Sequence, residues 1–501
     1  MKKILYLAAM ALMILFLTAA CGDDNGAGDA NMPDDSPDRD TQAPPAADVS
    51  EFVPFDADMD GHIFRVLGFG NEEGSWIAGT YSDIWAESIT GDTINDAIYH
   101  RNRRVEELYN IEIALTPWPQ SDSPQMAGLL VRAIRAGDDE FDAALISGSS
   151  LPSVLNMHNS LLDLNEVSTL DLSRSYWDQQ SRRDLAIGGR NFAVIGDISL
   201  YSFFANTIIY FNKTLIEDYS LDNPYELVRN GEWTWDKLHS MARQVTRDLT
   251  GDGTIGHEDQ IGFLSETAHQ GTIYLTTGER MTRNDADGIP HLALGGERSI
   301  RAYNFAFDLL TDPTSTFLVG NAPGTFANPF HEWATPKFYR NEVLFFYNQL
   351  LVTFELRNMD ADFGILPPPK FDAAQDRFYT TSANWFLTHT VIPITSANPE
   401  RTGIILDALC YYSQQLVRSA FFDVAVTHRL TRDEDSLEML NIIRENRIFD
   451  MAFIFNWQNM AWDLFAGIVA SGNNTFVSRL DAVGERIQAA IEATVDEILG
   501  G

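Results

Sequence analysis

Short apolar runs alternate with helical patterns in the first third of the chain, and this alternation limits the folds open to it. Residues 63–69, 111–115 and 141–146 are apolar runs with the length of strands. Between them, residues 93–109 and 126–136 have apolar side chains at helical spacing. Strands that alternate with helices predict a parallel sheet covered on both faces, so we predict an α/β fold.

Ligands of parallel sheets bind beyond the carboxyl ends of the strands. The loop after the first predicted strand contains Trp76, and the third predicted strand is followed by Ser147, Gly148 and Ser149. We therefore expect Trp76 and this serine-rich turn to lie near a ligand.

The later part of the chain is less regular. We predict extended chain over 196–211, helices over 235–245 and 300–310, and a strand at 362–370 that three prolines end. The apolar segment 343–354 fits a strand or a helix. The final hundred residues have mainly helical patterns.

The first 21 residues predict export. Lys2 and Lys3 precede an apolar run at 4–17, which is the length of a signal peptide core and short for a membrane span. Small residues and Cys21 follow, and this ending resembles the lipobox of bacterial lipoproteins. The resemblance implies that residues 1–20 are removed and that Cys21 is lipidated, which would anchor the chain to the outer face of the cell membrane. Leu17 stands four residues before the cysteine, whereas the lipobox prefers a leucine three residues before it. The alternative is an ordinary secretory signal that is cut after Ala20.

Residues 22–60 contain twelve acidic residues, five prolines and Arg39 as their one basic residue. Such a segment cannot bury enough apolar surface to offset the entropy of ordering it. We predict that residues 21–60 carry the lipid and form a disordered acidic tether. An irregular arm packed on the folded domain is the alternative.

The net charge of −36 excludes some partners. Nucleic acid and anionic lipid both require a basic surface, so we expect neither nucleic acid nor electrostatic membrane binding. A neutral or cationic ligand fits better. The chain has two cysteines; if Cys21 is lipidated, Cys410 has no partner, and its apolar surroundings predict a buried structural thiol.

Six segments together resemble the family 1 extracellular solute-binding proteins of bacterial ABC importers. They are GDTINDAIYHRN (91–102), YFNKTL (210–215), GEWTWDKL (231–238), DLTGDGTIGHEDQIGF (248–263), DFGILPPPK (362–370) and TRDEDSLEML (431–440). They run in the family's order from about residue 60 to 460. The resemblance implies a monomer with a two-lobed fold of the type II periplasmic-binding-protein kind and a ligand cleft at the hinge between the lobes. It also implies delivery of a mono- or oligosaccharide to a membrane permease.

From this resemblance we divide the folded part into two lobes. Residues 61–200 and 336–380 are assigned to lobe I. Residues 201–335 and 381–501 are assigned to lobe II.

A saccharide site needs flat aromatic faces for the C–H faces of the sugar and planar polar groups for its hydroxyls. Tryptophans in polar segments, some of them next to amides, are therefore candidates, with core packing as the alternative for each. The predicted ligand residues are Trp76, Ser147, Gly148, Ser149, Tyr347, Asn348, Trp385 and Trp457. Trp233 and Trp235 flank a helix start, where packing is at least as reasonable as ligand contact.

One segment has the spacing of an EF-hand calcium loop. Oxygen-bearing side chains alternate around a central glycine and a closing carboxylate. The candidate ligands are Asp248, Thr250, Asp252, Thr254 and Asp259. Thr250 replaces the usual carboxylate or amide and Asp259 is shorter than the usual glutamate, so a Gly-Asp-Gly surface turn is the alternative. A bound calcium would be structural, and we expect no other cofactor.

No catalytic motif stands out. P-loop, GxSxG, HExxH and paired CxxC patterns are absent from the sequence. We expect a binding protein rather than an enzyme. Two alternatives stay open: a secreted glycoside hydrolase, which needs a pair of carboxylates, and a ligand-sensing lipoprotein that docks a receptor instead of a permease.

Overall fold

The computed structural model describes residues 52–70, 81–119, 125–356, 362–427 and 434–500. The predicted signal peptide, Cys21, most of the predicted tether and Trp76 lie outside these residues. Residues Ala47–Gly501 form one compact unit.

The strands within the described residues lie in three sheets. In chain order they are β1 (His62–Phe69), β2 (Ile111–Trp118), β3 (Ala143–Ser147), β4 (Thr207–Asn212), β5 (Ile261–Ser265), β6 (Thr282–Asn284), β7 (Pro290–Leu292), β8 (Thr316–Leu318), β9 (Val343–Gln349), β10 (Phe363–Leu366) and β11 (Thr388–Val391).

Helices cover the sheets and form most of the last hundred residues, as predicted. They are α1 (Thr93–Tyr109), α2 (Ala127–Ala136), α3 (Leu151–Leu155), α4 (Gln179–Asp184), α5 (Tyr201–Phe204), α6 (Lys213–Asp218), α7 (Pro224–Arg229), α8 (Trp235–Val245), α9 (His269–Thr276), α10 (Glu297–Thr311), α11 (Thr335–Tyr339), α12 (Thr353–Leu356), α13 (Pro399–Tyr412), α14 (Arg418–Thr427), α15 (Glu434–Glu445), α16 (Met451–Phe455), α17 (Gly467–Ser471) and α18 (Phe476–Leu499). None of these described helices is both long and apolar enough to cross a membrane.

The first sheet confirms the predicted strand–helix alternation. Its strand order is β11-β3-β1-β2, and β1 pairs in parallel with both β2 and β3. All five residues of β3 are buried, which is expected of a central strand covered on both faces. Helix α1 connects β1 to β2 in the chain. The Asp92 side chain caps this helix by accepting hydrogen bonds from the N–H groups of Ile94 and Asn95.

The second sheet corrects the predicted division into lobes. Its order is β10-β4-β9-β5-β8, so β9 and β10 belong with β4 and not with the first sheet. Conversely, β11 pairs antiparallel with β3 of the first sheet. The assignment of residues 336–380 to lobe I was therefore wrong, because the apolar strand β9 is inserted between β4 and β5 of the second sheet. The assignment of all of 381–501 to lobe II was wrong as well, because β11 belongs to the first sheet.

The N-terminal arm corrects the predicted end of the tether. The Phe52 ring stacks on Tyr411 with ring centroids 4.5 Å apart. The Asp58 carboxylate accepts a hydrogen bond from the Asn110 side chain at 2.8 Å, and the Met59 N–H donates to the Tyr109 carbonyl at 2.8 Å. Residues 52–60 thus pack on the domain, which is the alternative that the sequence left open for this stretch.

Two chain segments that pass between the sheets pair side by side. Residues 203–206 lead from the first sheet to β4, and residues 380–384 lie on the return from β10 to β11. The Ala383 N–H donates to the Ala205 carbonyl at 2.8 Å, and Asn206 forms a bridge with Ser382. The predicted extended stretch 196–211 is interrupted here by α5. We call residues 203–206 and 380–384 the crossing segments.

Cys410 is buried in α13, as predicted. A Cβ atom added at Gly196 would lie 2.7 Å from its Sγ atom, so the thiol is in close contact with the backbone. Burial raises the pKa of the Cys410 thiol well above its usual value, which makes it a poor nucleophile.

Candidate functional site

A cavity of about 300 Å³ opens where β5 and β9 end. These strands are parallel, so their carboxyl ends meet at one edge of the second sheet. Glu266 directly follows β5, while Asn348 and Gln349 end β9. The lining residues are Glu266, Asn328, Phe330, His331, Thr335, Asn348, Gln349, Val352 and Trp385. Two of the predicted ligand residues, Asn348 and Trp385, therefore come together here.

Trp385 supplies an aromatic surface to this cavity. Its side chain remains 38% exposed, although the next residue, Phe386, is fully buried. The two rings have centroids 4.2 Å apart. Phe386 thus fixes the segment to the core while the indole of Trp385 remains accessible, an arrangement that suits stacking on an apolar face of a ligand.

The serine-rich turn after β3 holds the Trp385 segment from both sides. The Gly148 N–H donates to the Leu387 carbonyl at 3.0 Å, and the Ser149 N–H donates to the Asn384 carbonyl at 3.2 Å. The hydroxyls of Ser147 and Ser149 are 3.0 Å apart. A Cβ atom at Gly148 would lie 1.6 Å from Asn384 Oδ1, so this approach requires glycine.

Ser147, Gly148 and Ser149 are therefore close to Trp385 in the fold, but they are not among the residues that line the cavity. Their hydrogen bonds connect the end of the first sheet to the Trp385 segment. A ligand contact by these three residues stays a prediction.

Hydrogen bonds hold the end of β9 in place. Asn348 Oδ1 accepts the Gln349 N–H at 2.8 Å. The Tyr210 hydroxyl donates to the Gln349 carbonyl at 2.9 Å and is 2.8 Å from the Thr353 hydroxyl. The planar side-chain amide of Asn348, held in this way, can offer directed hydrogen bonds to the hydroxyls of a ligand.

Glu266 gives the cavity a carboxyl group with an unusual pKa. Burial raises the pKa of Glu266 to about 7. His269 Nε2 lies 3.5 Å from Glu266 Oε1, but burial lowers the pKa of His269 to about 3, so this imidazole is neutral and does not balance the charge. Near neutral pH the Glu266 carboxyl can therefore act as hydrogen-bond donor or acceptor.

His331, which also lines the cavity, lies on an irregular helical turn, Phe330–Ala334. Its Nδ1 atom is 2.7 Å from Glu355 Oε1. The hydrogen bond to Glu355 raises the pKa of His331, so the pair favours the imidazolium form.

Tyr347 and Trp457 lie away from this cavity. The Tyr347 ring is fully buried, with its centroid 4.6 Å from that of His269 and 5.8 Å from that of Trp235. Successive residues of a strand face opposite sides, so Tyr347 points into the core when Asn348 points to the cavity. Trp457 is 6% exposed, and its Nε1–H donates to the Thr494 hydroxyl at 2.9 Å.

Trp233 and Trp235 have the packing role that the sequence left open. Both are fully buried. Trp233 Nε1 donates to the Pro367 carbonyl at 2.9 Å, and Trp235 Nε1 donates to the Thr276 hydroxyl at 3.0 Å. Trp76 lies outside the described residues.

Sequence reasoning missed Glu266, Asn328, Phe330 and His331. Glu266 could have been found, because it follows an apolar run at 261–265 and the same rule had selected the turn after 141–146. The other three lie on or next to an irregular turn, for which no periodic pattern exists.

The candidate calcium loop is organised by its own hydrogen bonds. Asp248 accepts the N–H groups of Gly251 and Gly253 at 2.6 and 2.8 Å. Asp252 accepts the Thr254 N–H and hydroxyl, each at 2.8 Å. Asp259 accepts the N–H groups of Leu249, Thr250 and Gly256, so its carboxylate faces the backbone. Among the described residues, no group of three or more His, Cys, Asp or Glu side chains is gathered to hold a metal.

Comparisons with known proteins give the fold. No protein-family model and no curated protein matches the chain. Solved structures do match it. An ABC substrate-binding protein from Listeria monocytogenes, solved in complex with cycloalternan, is 12% identical, with a TM-score of 0.51 over 88% of this chain and 98% of that one. The chain has the solute-binding-protein fold.

Two further structures with this solute-binding-protein fold match equally broadly. A cyclic α-maltosyl-1,6-maltose-binding protein from Arthrobacter globiformis is 14% identical, with a TM-score of 0.54 over 87% of this chain and 99% of that one. An ABC transporter solute-binding protein from Thermotoga lettingae, bound with α-D-tagatose, is 13% identical, with a TM-score of 0.51 over 87% of this chain and 100% of that one. The predicted two-lobed α/β fold class is thereby confirmed.

Proposed function

We propose that the chain is the extracellular solute-binding subunit of an ABC importer and that it captures a mono- or oligosaccharide. The observation that carries this proposal is the cavity at the ends of β5 and β9. It combines the accessible indole of Trp385 with the amides of Asn328, Asn348 and Gln349. An aromatic face with several planar hydrogen-bonding groups is the combination that a sugar ring requires.

The structural neighbours support the same ligand class. Their ligands are cycloalternan and tagatose, and the Arthrobacter globiformis protein binds cyclic maltosyl-maltose. The negative charge of the chain agrees with a neutral ligand.

The topology supports capture by hinge closure. The two sheets are joined through the crossing segments, and Trp385 directly follows one of them. A ligand that contacts both halves binds the closed form better than the open form, and this difference in affinity shifts the population toward closure. The closed form would then dock a membrane permease.

Lipid anchoring at Cys21 and location on the outer face of the cell membrane complete the proposal. Both rest on the N-terminal sequence alone. Mass spectrometry of the membrane fraction tests them, since a diacylated Cys21 at the mature N-terminus is the expected product and an unmodified N-terminal cysteine would contradict the anchor.

A binding role fits this cavity better than hydrolysis. Among the described residues that line the cavity, Glu266 is the one carboxylate. A glycoside hydrolase requires two carboxyl groups that flank the scissile bond.

A thermal-shift screen of the purified full chain against mono- and oligosaccharides tests the function, with amino acids and short peptides alongside. A ligand of the native state raises Tm in proportion to the logarithm of its concentration over Kd. We expect a dose-dependent rise with a saccharide and no new product by chromatography. The Trp385→Ala variant should show a smaller rise at the same ligand concentration, whereas Trp462→Ala, which removes a 53% exposed tryptophan outside the cavity, should keep the full rise.

Consumption of the saccharide would contradict the proposal and favour the hydrolase. A rise in Tm with amino acids or peptides alone would keep the importer role and contradict the saccharide assignment.

A further inference from the structure

Three arginines meet at a second cavity of about 300 Å³, which shares no lining residue with the first. Arg183 comes from α4, Arg280 precedes β6, and Arg283 lies within β6. The other lining residues are Asp184, Thr282, Asn284, Phe449, Asp450 and Met451. A chain with 35 basic and 71 acidic residues thus places three guanidinium groups around one cavity.

These guanidinium groups have no ion-pair partner within the described part of the chain. Several other described arginines pair with a carboxylate, as Arg229 does with Glu226 and Glu438. Arg183 instead donates to Gln180 Oε1 at 2.7 Å, and Arg280 donates to the Glu279 carbonyl at 3.1 Å. Arg183 and Arg280 therefore have further N–H donors for another partner.

The two carboxylates in the cavity wall are occupied by other donors. Asp184 accepts the Phe449 N–H at 3.0 Å and the Gln180 side-chain amide at 2.8 Å. Asp450 accepts the Met281 N–H at 2.8 Å and the Thr282 hydroxyl at 2.6 Å. Neither carboxylate forms an ion pair with the three arginines within the described residues, although the charge of Arg280 opposes the rise that burial causes in the pKa of Asp184 and of Asp450. Three guanidinium groups and two carboxyl groups line the cavity, so its wall has more basic than acidic groups.

The position of the Arg280 guanidinium is partly fixed before any ligand binds. The Arg280 guanidinium lies over the Tyr379 ring at 5.4 Å from its centroid. A planar cation held against an aromatic ring loses less freedom when it binds an anion.

We propose that this cavity binds an oxyanion, either a free phosphate or sulfate ion or the carboxylate of a solute, through Arg183, Arg280 and Arg283. Guanidinium groups match the geometry of such anions through paired N–H donors. The site is separate from the cavity at Trp385 and does not depend on the saccharide proposal.

Isothermal titration of the purified full chain, in a Tris chloride buffer of constant ionic strength, tests the site with inorganic phosphate, sulfate and acetate as probes. We expect saturable binding of at least one probe with a stoichiometry near one. Preference for phosphate or sulfate would indicate a free ion, and preference for acetate would indicate the carboxylate of a solute.

The Arg280→Gln/Arg283→Gln double variant should weaken this binding at least tenfold. Arg132→Gln removes one charge from an exposed position on α2 and should leave the affinity unchanged. Arg280→Lys/Arg283→Lys keeps the charge but loses the paired donors, so its affinity should fall between those of the wild type and the glutamine variant. If the double glutamine variant is unstable in chloride alone, Arg183→Gln, at an exposed position, provides the same comparison.

Two outcomes would overturn the site. One is the absence of saturable binding for all three probes. The other is equal affinity in the glutamine variants and in Arg132→Gln, which would assign any binding to the overall charge of the protein.

Discussion

Trp385 and Trp457 look alike in the sequence, but the structure places them in opposite environments. Each follows an asparagine, Asn384 or Asn456, in a polar segment. Trp385 is 38% exposed at a cavity, whereas Trp457 is 6% exposed and stacks on Phe455 with centroids 4.8 Å apart. A neighbouring amide therefore does not tell whether an indole faces a ligand or the core.

The difference comes from partners that are distant in the chain. The segment of Trp385 is held by the turn after β3, more than two hundred residues earlier. The indole of Trp457 bonds to Thr494 in α18. Both partners depend on tertiary pairing, which local sequence patterns do not contain.

Trp457→Ala should have the largest effect, and the effect should be on stability. The change removes a buried ring and its hydrogen bond to Thr494, which typically lowers the free energy of unfolding by about 3–5 kcal/mol. Urea denaturation measures this loss. The affinity for a saccharide, measured below the unfolding transition, should not change; a selective loss of affinity would show that Trp457 contacts the ligand.

Glu266→Gln should change the pH dependence of stability. The pKa of Glu266 is about 7 in the folded state and about 4.5 for the unperturbed group, so the folded state binds more protons between these pH values. The free energy of unfolding of the wild type should therefore fall as pH rises from 4.5 to 7. Relative to Glu266→Gln the loss should reach roughly 2 kcal/mol by pH 8, allowing for a side chain that is 31% exposed.

Urea denaturation at several pH values provides this measurement. Glu258→Gln, at an exposed glutamate on the surface, is the matched control and should follow the wild type. Parallel pH profiles for the wild type and Glu266→Gln would contradict the raised pKa.

Gly148→Ala tests the connection between the turn after β3 and the Trp385 segment. Its Cβ atom would overlap Asn384 Oδ1, and relieving such an overlap costs about 1–3 kcal/mol. We expect a lower Tm together with weaker saccharide binding, because Trp385 follows Asn384. Gly320→Ala, where an added Cβ has no neighbour within 4 Å, is the control. Unchanged saccharide affinity in Gly148→Ala would show that the turn after β3 does not support the ligand site at Trp385.

Trp385→Ala should show the reverse of Trp457→Ala. The loss of stacking should weaken saccharide binding by at least about 1 kcal/mol, while an accessible side chain contributes little to stability. Calorimetric titration gives the affinity and thermal unfolding gives the stability. A marked fall in Tm with unchanged saccharide affinity would show that Trp385 packs against the protein and does not contact the ligand.

Calcium should have the smallest effect. The carboxylates of Asp248, Asp252 and Asp259 already accept hydrogen bonds within their loop. We expect Ca²⁺ and EDTA to leave Tm unchanged. A rise with Ca²⁺ that Asp248→Asn abolishes would support the EF-hand reading of this loop.

The sequence predicted the elements better than it predicted their partners. The apolar spacing of 235–245 matches α8, and the alternation over 63–146 matches the first sheet, because these patterns depend on neighbouring residues. The placement of β9 and β10 in the second sheet depends on long-range pairing, and it was assigned wrongly. For the site, Trp385 and Asn348 were anticipated by chemistry, whereas Phe330 and His331 lie on an irregular turn that has no sequence pattern.

Tryptophan fluorescence most directly tests whether a saccharide binds beside Trp385. The full chain and its Trp385→Phe and Trp457→Phe variants would be titrated with the saccharide that raises Tm in the screen. We predict that the ligand changes the emission of the wild type and of Trp457→Phe by the same amount, and that most of this change is lost in Trp385→Phe. A full change in Trp385→Phe, with loss in Trp457→Phe, would contradict the assignment of the cavity at the ends of β5 and β9 as the ligand site.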